Sequence, residues 1–377
     1  MKIAILTQPL LHNYGGIVQN FALQTILKQK GYNVTTIDWG WNKPFGWRFW
    51  INYIKNVLSF RKTFLLSRKE REIIYGEFDR FIDKYIERTP KKYNPKDFLK
   101  IKNNEYDAFV VGSDQCWRPK YNGRFLSSMF LSFLLEENKK RIAYAVSFGT
   151  DEWEFSNKQA KECSELAKKF DLITVRESSG ISLCRNKLGI TTAYHVLDPT
   201  MLLSCDFYKQ LITNENPPYS SGSLFYYILD PTDNKSVFIK KIADITGFKP
   251  FSILPQYREG SLSHNIIRNN IDKCRYPSVT SWLKAFCDAE MIIVDSFHGV
   301  VFSIIFNKPF WVIGNKQRGL SRFISLLDLF DLRERLIDDN ISCSNVNFSQ
   351  KIDWNNVNQK LEKYKNISIS LLLSNLK

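Results

Sequence analysis

The stretch 2-KIAILTQPLLHNYGGIVQNFALQTILKQKGYNVTTIDW-39 decides the fold class. "KIAILT" is an apolar run suited to a buried strand, and "HNYGG" reads as a turn. Apolar Ile17, Val18, Phe21, Leu23, Ile26 and Leu27 then recur near helical spacing through "IVQNFALQTILKQKG". Gly31 ends that helix, and "YNVTTIDW" supplies the next strand. A strand, a glycine turn, a helix and a second strand open a parallel, doubly wound sheet.

The pattern resumes downstream. "YDAFVVGSDQ" is a buried strand ending in Gly112-Ser113-Asp114, "RIAYAVSFGT" is another, and "FDLITVRESSGISLCRNKLG" reads as strand, polar turn and helix. A loop at 215-ENPPYSSG-222 lies near the start of a second unit, with strands expected in "SLFYYILD", "FKPFSIL", "AEMIIVDSF" and "KPFWVIG". Helices are expected near 234–246, 278–289 and 299–307. The reading is an α/β chain of two Rossmann-like domains, 1–205 and 206–345, followed by a helical tail, 346–377. Residues 39–90 break the pattern: four tryptophans fall within 39–50, and basic, helical sequence follows. This insertion is open to three readings: packed helices, a membrane-surface element over 39–71, or a nucleic-acid surface.

The chain of 377 residues carries a net charge of +15, and 18 Lys/Arg face only 8 Asp/Glu in its first hundred residues. Anionic partners follow: acidic lipid, nucleic acid or a phosphorylated small molecule. Seven scattered cysteines form no C-x-x-C pair, which argues for reduced thiols and against structural zinc. Four widely separated histidines offer no metal spacing, so no metal is expected. G-x-S-x-G is absent, which removes the common serine hydrolase. No apolar run is long enough to span a bilayer, and the N-terminus lacks a secretory signal, so a cytoplasmic location is expected.

The chemistry-bearing candidates cluster at strand ends. Asn13, Tyr14, Gly15 and Gly16 stand between a strand and a helix N-terminus, where backbone N–H groups favour anions. Ser113 and Asp114 end a strand, as ligand or helix-capping residues. Arg176 and Glu177 follow another, where an arginine suits phosphate or carboxylate. In "MIIVDSFHG", Ser296, His298 and Gly299 lie where a strand becomes a helix, with Lys316 and Arg318 beyond the following strand. His298 is a core residue or part of an anion site, and the nearby cations favour the second.

Six motifs now stand in order: "HNYGGIVQ", "FVVGSDQCW", "AYAVSFG", "ITVRESSG", "HVLDPTMLL" and "VDSFHGVVFSIIFNKPF". Together they resemble the polysaccharide pyruvyl transferase family of bacterial capsule and exopolysaccharide clusters, departing from its usual pattern at Gly16 and Arg118. The resemblance implies two Rossmann-like domains facing a cleft, as in B-type glycosyltransferases, with acceptor on the N-terminal side and donor on the C-terminal side. It implies transfer of the pyruvyl group of phosphoenolpyruvate, as co-substrate and without a cofactor, onto two hydroxyls of a sugar as a ketal. Arg176, His298 and Arg318 are the functional set it implies, with Lys316 an alternative to Arg318. Asp114 is a candidate for activating the acceptor, and Ser147 of "AYAVSFG" joins the substrate-binding candidates. The acceptor implied is a polyprenyl-diphosphate-linked oligosaccharide at the inner membrane face. That would give the 39–71 segment a peripheral membrane contact, while nucleic acid is not expected as a partner. The alternative enzyme is a nucleotide-sugar glycosyltransferase of the same fold.

Overall fold

The computed structural model describes residues 1–41, 66–101, 105–134, 138–258, 267, 269–314, 319–338 and 350–377. Two parallel sheets form its frame. The first has the order β2-β1-β3-β4-β5-β6 (β1 Lys2–Leu6, β2 Asn33–Thr36, β3 Ala108–Val111, β4 Lys140–Val146, β5 Leu172–Val175, β6 Ala193–His195). The second has the order β11-β10-β9-β7-β8 (β7 Leu224–Tyr227, β8 Pro250–Phe251, β9 Met291–Val294, β10 Phe310–Ile313, β11 Leu336–Ile337). β3 and β5 are buried along their whole length, which is why "AFVV" and "LITV" are continuous apolar runs rather than alternating ones.

In each sheet the chain moves first to one side of the opening strand and then to the other. The two switch points fall between β1 and β3 and between β7 and β9, the places where open α/β sheets take ligands at the strands' carboxyl ends. Helices α1 (Tyr14–Gln29), α2 (Arg68–Tyr85), α3 (Asn157–Ala167), α4 (Ser178–Leu188) and α5 (Cys205–Glu215) accompany the first sheet. Helices α6 (Asp233–Thr246), α7 (Val279–Asp288), α8 (Phe297–Ile305) and α9 (Leu320–Leu329) accompany the second, and α10 (Trp354–Ser374) closes the chain. The expected turn at "HNYGG" needs correction: α1 already begins at Tyr14, because Asn13 caps it by accepting from the Gly16 N–H at 3.3 Å. Both glycines therefore lie in the first helical turn.

Alternation along β1 divides the core. Ile3 and Ile5 join an apolar cluster that continues through Val18 and Leu23 into Phe225, Val294 and Phe302 of the second half. Ala4 and Leu6 point to a second cluster with Phe109, Val111 and Trp117. The two halves thus share one core along their seam. Tyr14 crosses that seam, donating to the Pro277 carbonyl at 2.7 Å and stacking on Trp282 at 5.3 Å between ring centroids. The closing helix also returns to the first half, where the Ser368 hydroxyl accepts from the Leu197 N–H at 3.1 Å.

Among the described residues of the insertion the helix is α2, begun by a Ser67/Glu70 capping box and packed into the core through Ile74, Phe78, Phe81 and Ile82. It is balanced in charge: Arg68, Lys69, Arg71, Arg80 and Lys84 face Glu70, Glu72, Glu77, Asp79 and Asp83. The stretch 42–65, on which the membrane-surface expectation largely rests, lies outside the described residues. Among the described residues no helix is long and apolar enough to cross a membrane.

Candidate active site

A polar cavity of about 90 Å³ lies where the two switch points meet. From the first half Asn13, Gly15, Asp114 and Gln115 line it; from the second come Tyr227, Asp295, Ser296, His298 and Arg322. The first turn of α8 carries His298 to this place. Ser296 caps that helix by accepting from the Gly299 N–H at 3.1 Å, and the packing behind Gly299 leaves no room for a Cβ, which would stand 2.8 Å from the Val294 Cβ. Gly15 makes the facing wall. A Cβ built there would overlap Nδ1, Cγ and Cε1 of His298, so the imidazole occupies the space a side chain would take.

Behind the cavity lies a buried network of charge. Arg176, at the end of β5, has a fully buried side chain and donates from Nη1 to Asp198 Oδ2 and from Nη2 to Asp114 Oδ1, each at 3.0 Å. Its guanidinium also lies 4.4 Å from the centroid of the Phe297 ring. Asp198 Oδ2 further accepts from the Ser113 hydroxyl at 2.8 Å and lies 3.7 Å from His298 Nε2, while Oδ1 accepts from the Thr200 N–H and hydroxyl at 3.1 and 2.7 Å.

The ionisation of these groups follows from their neighbours. Burial alone would raise Asp114 and Asp198, but Arg176 and His298 outweigh it and hold both carboxyls below their usual range. Burial also works against a charged Arg176, yet Asp114, Asp198 and Glu177 outweigh it and raise that group. For Glu177 burial wins over the nearby Arg176 and pushes the carboxyl up. Arg322 is brought down to about 10, by burial first and then by the charge of Arg176.

Backbone irregularities aim the strand ends into this region. Asp114 has φ 69°, a left-handed conformation uncommon for a residue with a side chain. Ala145, at φ 51°, sits in a register shift between β4 and β5, its N–H donating to the Thr174 hydroxyl at 2.8 Å. Just beyond it the Ser147 hydroxyl accepts from the Gly149 N–H at 3.0 Å, and the Phe148 N–H donates to Glu177 at 2.8 Å.

The expected site residues thus fall into four groups. Asn13, Gly15, Asp114, Ser296 and His298 line the cavity, with Gly16 beside Asn13 and Asp114 and with Gly299 under the Ser296 cap. Ser113, Ser147, Arg176 and Glu177 form the buried layer behind. Tyr14 is not brought to the cavity, because its ring and hydroxyl serve the seam. Lys316 and Arg318 lie outside the described residues.

A family model described as polysaccharide pyruvyl transferase matches residues 13–317, from the cap of α1 to just beyond β10. The chain belongs to the polysaccharide pyruvyl transferase family. Membership makes it a transferase of polysaccharide biosynthesis, acting on a sugar acceptor. No curated protein matches the chain. Among solved structures it is similar to the UDP-GlcNAc 2-epimerase from Methanocaldococcus jannaschii, with 10% identity over 97% of this chain and 93% of that one, and a TM-score of 0.49. A putative UDP-N-acetylglucosamine 2-epimerase from Listeria monocytogenes gives 8% identity over 96% and 94%, with a TM-score of 0.49. An alpha-glucosyltransferase in complex with UDP and a 13-mer DNA gives 11% identity over 98% and 92%, with a TM-score of 0.45.

Sequence reasoning missed several residues of this cavity and its buried layer, Asp198 and Arg322 among them. Asp198 stood in the quoted motif "HVLDPTMLL" without a role, although an aspartate before Pro-Thr at a strand end is a known local capping pattern. Arg322 was not singled out. Nothing local distinguishes it, since its place in the cavity comes from the docking of α9 against the first half.

Proposed function

We propose that the cavity binds phosphoenolpyruvate and that the protein transfers its pyruvyl group to two hydroxyls of a saccharide, forming a cyclic ketal. The observation that carries this reading is the convergence of His298, Arg322 and the α8 N-terminus on one small cavity at the paired switch points. A donor with a carboxylate and a phosphate needs cations and helix N–H groups, and both are at hand.

In the proposed reaction His298 gives a proton to the methylene carbon while one sugar hydroxyl attacks C2. The second hydroxyl then closes on C2 as the C2–O bond to phosphate breaks. Of the two hydroxyl protons, one restores the proton His298 gave to the new methyl group and the other leaves with inorganic phosphate, so the balance requires no cofactor or redox partner. Arg322 neutralises the anionic donor in this scheme, with Lys316 and Arg318 as further candidates. Arg176 acts through the carboxylates it holds, since both of its η nitrogens are engaged by Asp114 and Asp198. Asp114, held in its charged form by Arg176, is a weak base and serves best by orienting the acceptor. The acceptor is proposed to be a lipid-linked oligosaccharide met at the inner membrane face.

The test is release of inorganic phosphate from phosphoenolpyruvate with a panel of synthetic and lipid-linked glycosides, for the native protein and for His298→Ala. Acceptor-dependent release that the variant loses supports the reading. Nucleotide release from a sugar nucleotide, with none of phosphate from phosphoenolpyruvate, replaces it with a glycosyltransferase.

A further inference from the structure

We propose that Asp198 is the positioning residue of the site, holding the His298 ring so that Nε2 faces its carboxylate and Nδ1 faces the cavity beside Gly15. The proposal rests on the donor chemistry assigned above, and it begins with the orientation of the ring. Nε2 is buried, has no hydrogen-bond partner and lies 3.7 Å from Asp198 Oδ2. That separation is slightly beyond a hydrogen bond, so a small closing movement completes the contact. Nδ1, the other ring nitrogen, lies against the Gly15 wall of the cavity.

The carboxylate is held from several sides. Ser113 and Arg176 fix Oδ2, and the Thr200 N–H and hydroxyl fix Oδ1. Its backbone is secured as well. Tyr144 of β4 donates to the Leu197 carbonyl at 3.1 Å, Tyr208 of α5 donates to the Thr200 carbonyl at 2.8 Å, and Ser368 of α10 accepts from the Leu197 N–H. Three parts of the fold thus converge to immobilise the backbone of residues 197–200. Such rigidity is what a group needs if it is to fix another group's geometry.

The remaining charged neighbours cannot take this role. Among the described residues Asp198 alone brings a carboxylate oxygen within ion-pair distance of a His298 ring nitrogen, which Asp114 does not; Glu177 lies behind Arg176, 4.0 Å from the arginine's Nε, and Arg322 is a cation. Asp295 holds the Leu229 and Asp230 N–H groups at 2.7 and 3.0 Å and pairs with Lys235 at 3.0 Å. A carboxylate on one imidazole nitrogen stabilises the N–H tautomer on that side and leaves the other nitrogen for the reacting group.

The experiment compares native protein with Asp198→Asn by nitrogen NMR of the His298 ring, at a pH where the ring is neutral, and by steady-state kinetics. Expected are an Nε2–H tautomer in the native protein and loss of that preference in the variant. The variant's kcat falls by on the order of 100-fold while KM for phosphoenolpyruvate stays within about threefold. An unchanged tautomer together with a native kcat overturns the proposal. If the native protein releases no phosphate with any acceptor, the donor assignment fails, and the NMR comparison alone decides this inference by the same tautomer criterion. Should Asp198→Asn not fold, Ser113→Ala removes one restraint from Oδ2 and keeps both charges. It is expected to lower kcat about tenfold with little change in KM, and a native kcat in that variant also overturns the proposal.

Discussion

Gly15 is a glycine because His298 stands where its side chain would be. Gly15→Ala is therefore expected to displace the imidazole and lower kcat by at least about 100-fold, since misplacement by an ångström can cost that much. Gly16→Ala is the control, because its Cβ would meet Asn13 at an ordinary 3.5 Å and leave activity within a few-fold of native. A second residue-scale expectation concerns His12, which stacks on Tyr75 at 3.5 Å with the rings 5° from parallel. Burial, and then Arg71 and Lys91, lower its pKa from 6.5 to about 3. The native state thus refuses a proton that the unfolded chain accepts below about 6.5, so stability falls as the pH drops from there towards 3. Urea unfolding of His12→Phe should lose this dependence. The gap between native and variant is expected to shift by roughly 2 kcal/mol between pH 7 and 5, and parallel pH curves would contradict the assignment.

Helix α1 joins the two halves, and Tyr14 is its anchor. Tyr14→Phe keeps the stack on Trp282 but leaves the Pro277 carbonyl without its donor. The expected cost is about 1 kcal/mol in urea unfolding, with Tyr14→Ala costing several times more through the lost ring. Elements of this kind were legible in the sequence where one period dominated. The runs "AFVV" and "MIIV" are strands, and α6, α7 and α8 fall within two residues of the expected spans. The start of α1 was misread because two glycines resemble a turn, whereas Asn13 capping and the approach of His298 make them the first turn of a helix. The "GSD" end of β3 was placed at the cleft, but its left-handed Asp114 and its partner Arg176 are set by contacts between distant segments. The same is true of Asp198 and Arg322, whose roles arise from docking rather than from local pattern.

Across the whole molecule, the continuous apolar seam brings two sheets together with their switch points facing, and this creates the site. The cavity and the buried layer behind it set Arg176 and Arg322 against Asp114 and Asp198, while burial pushes the Glu177 carboxyl up. An anionic donor would find there the Arg322 guanidinium and the α8 N-terminus. The most direct measurement is mass and NMR analysis of the saccharide recovered after incubation with phosphoenolpyruvate in heavy water. The expected product carries the mass of one pyruvate less one water, as a ketal bridging two oxygens, with one deuterium in its methyl group. A saccharide recovered unchanged across the acceptor panel, or one bearing a transferred sugar from a nucleotide donor instead, would contradict the account.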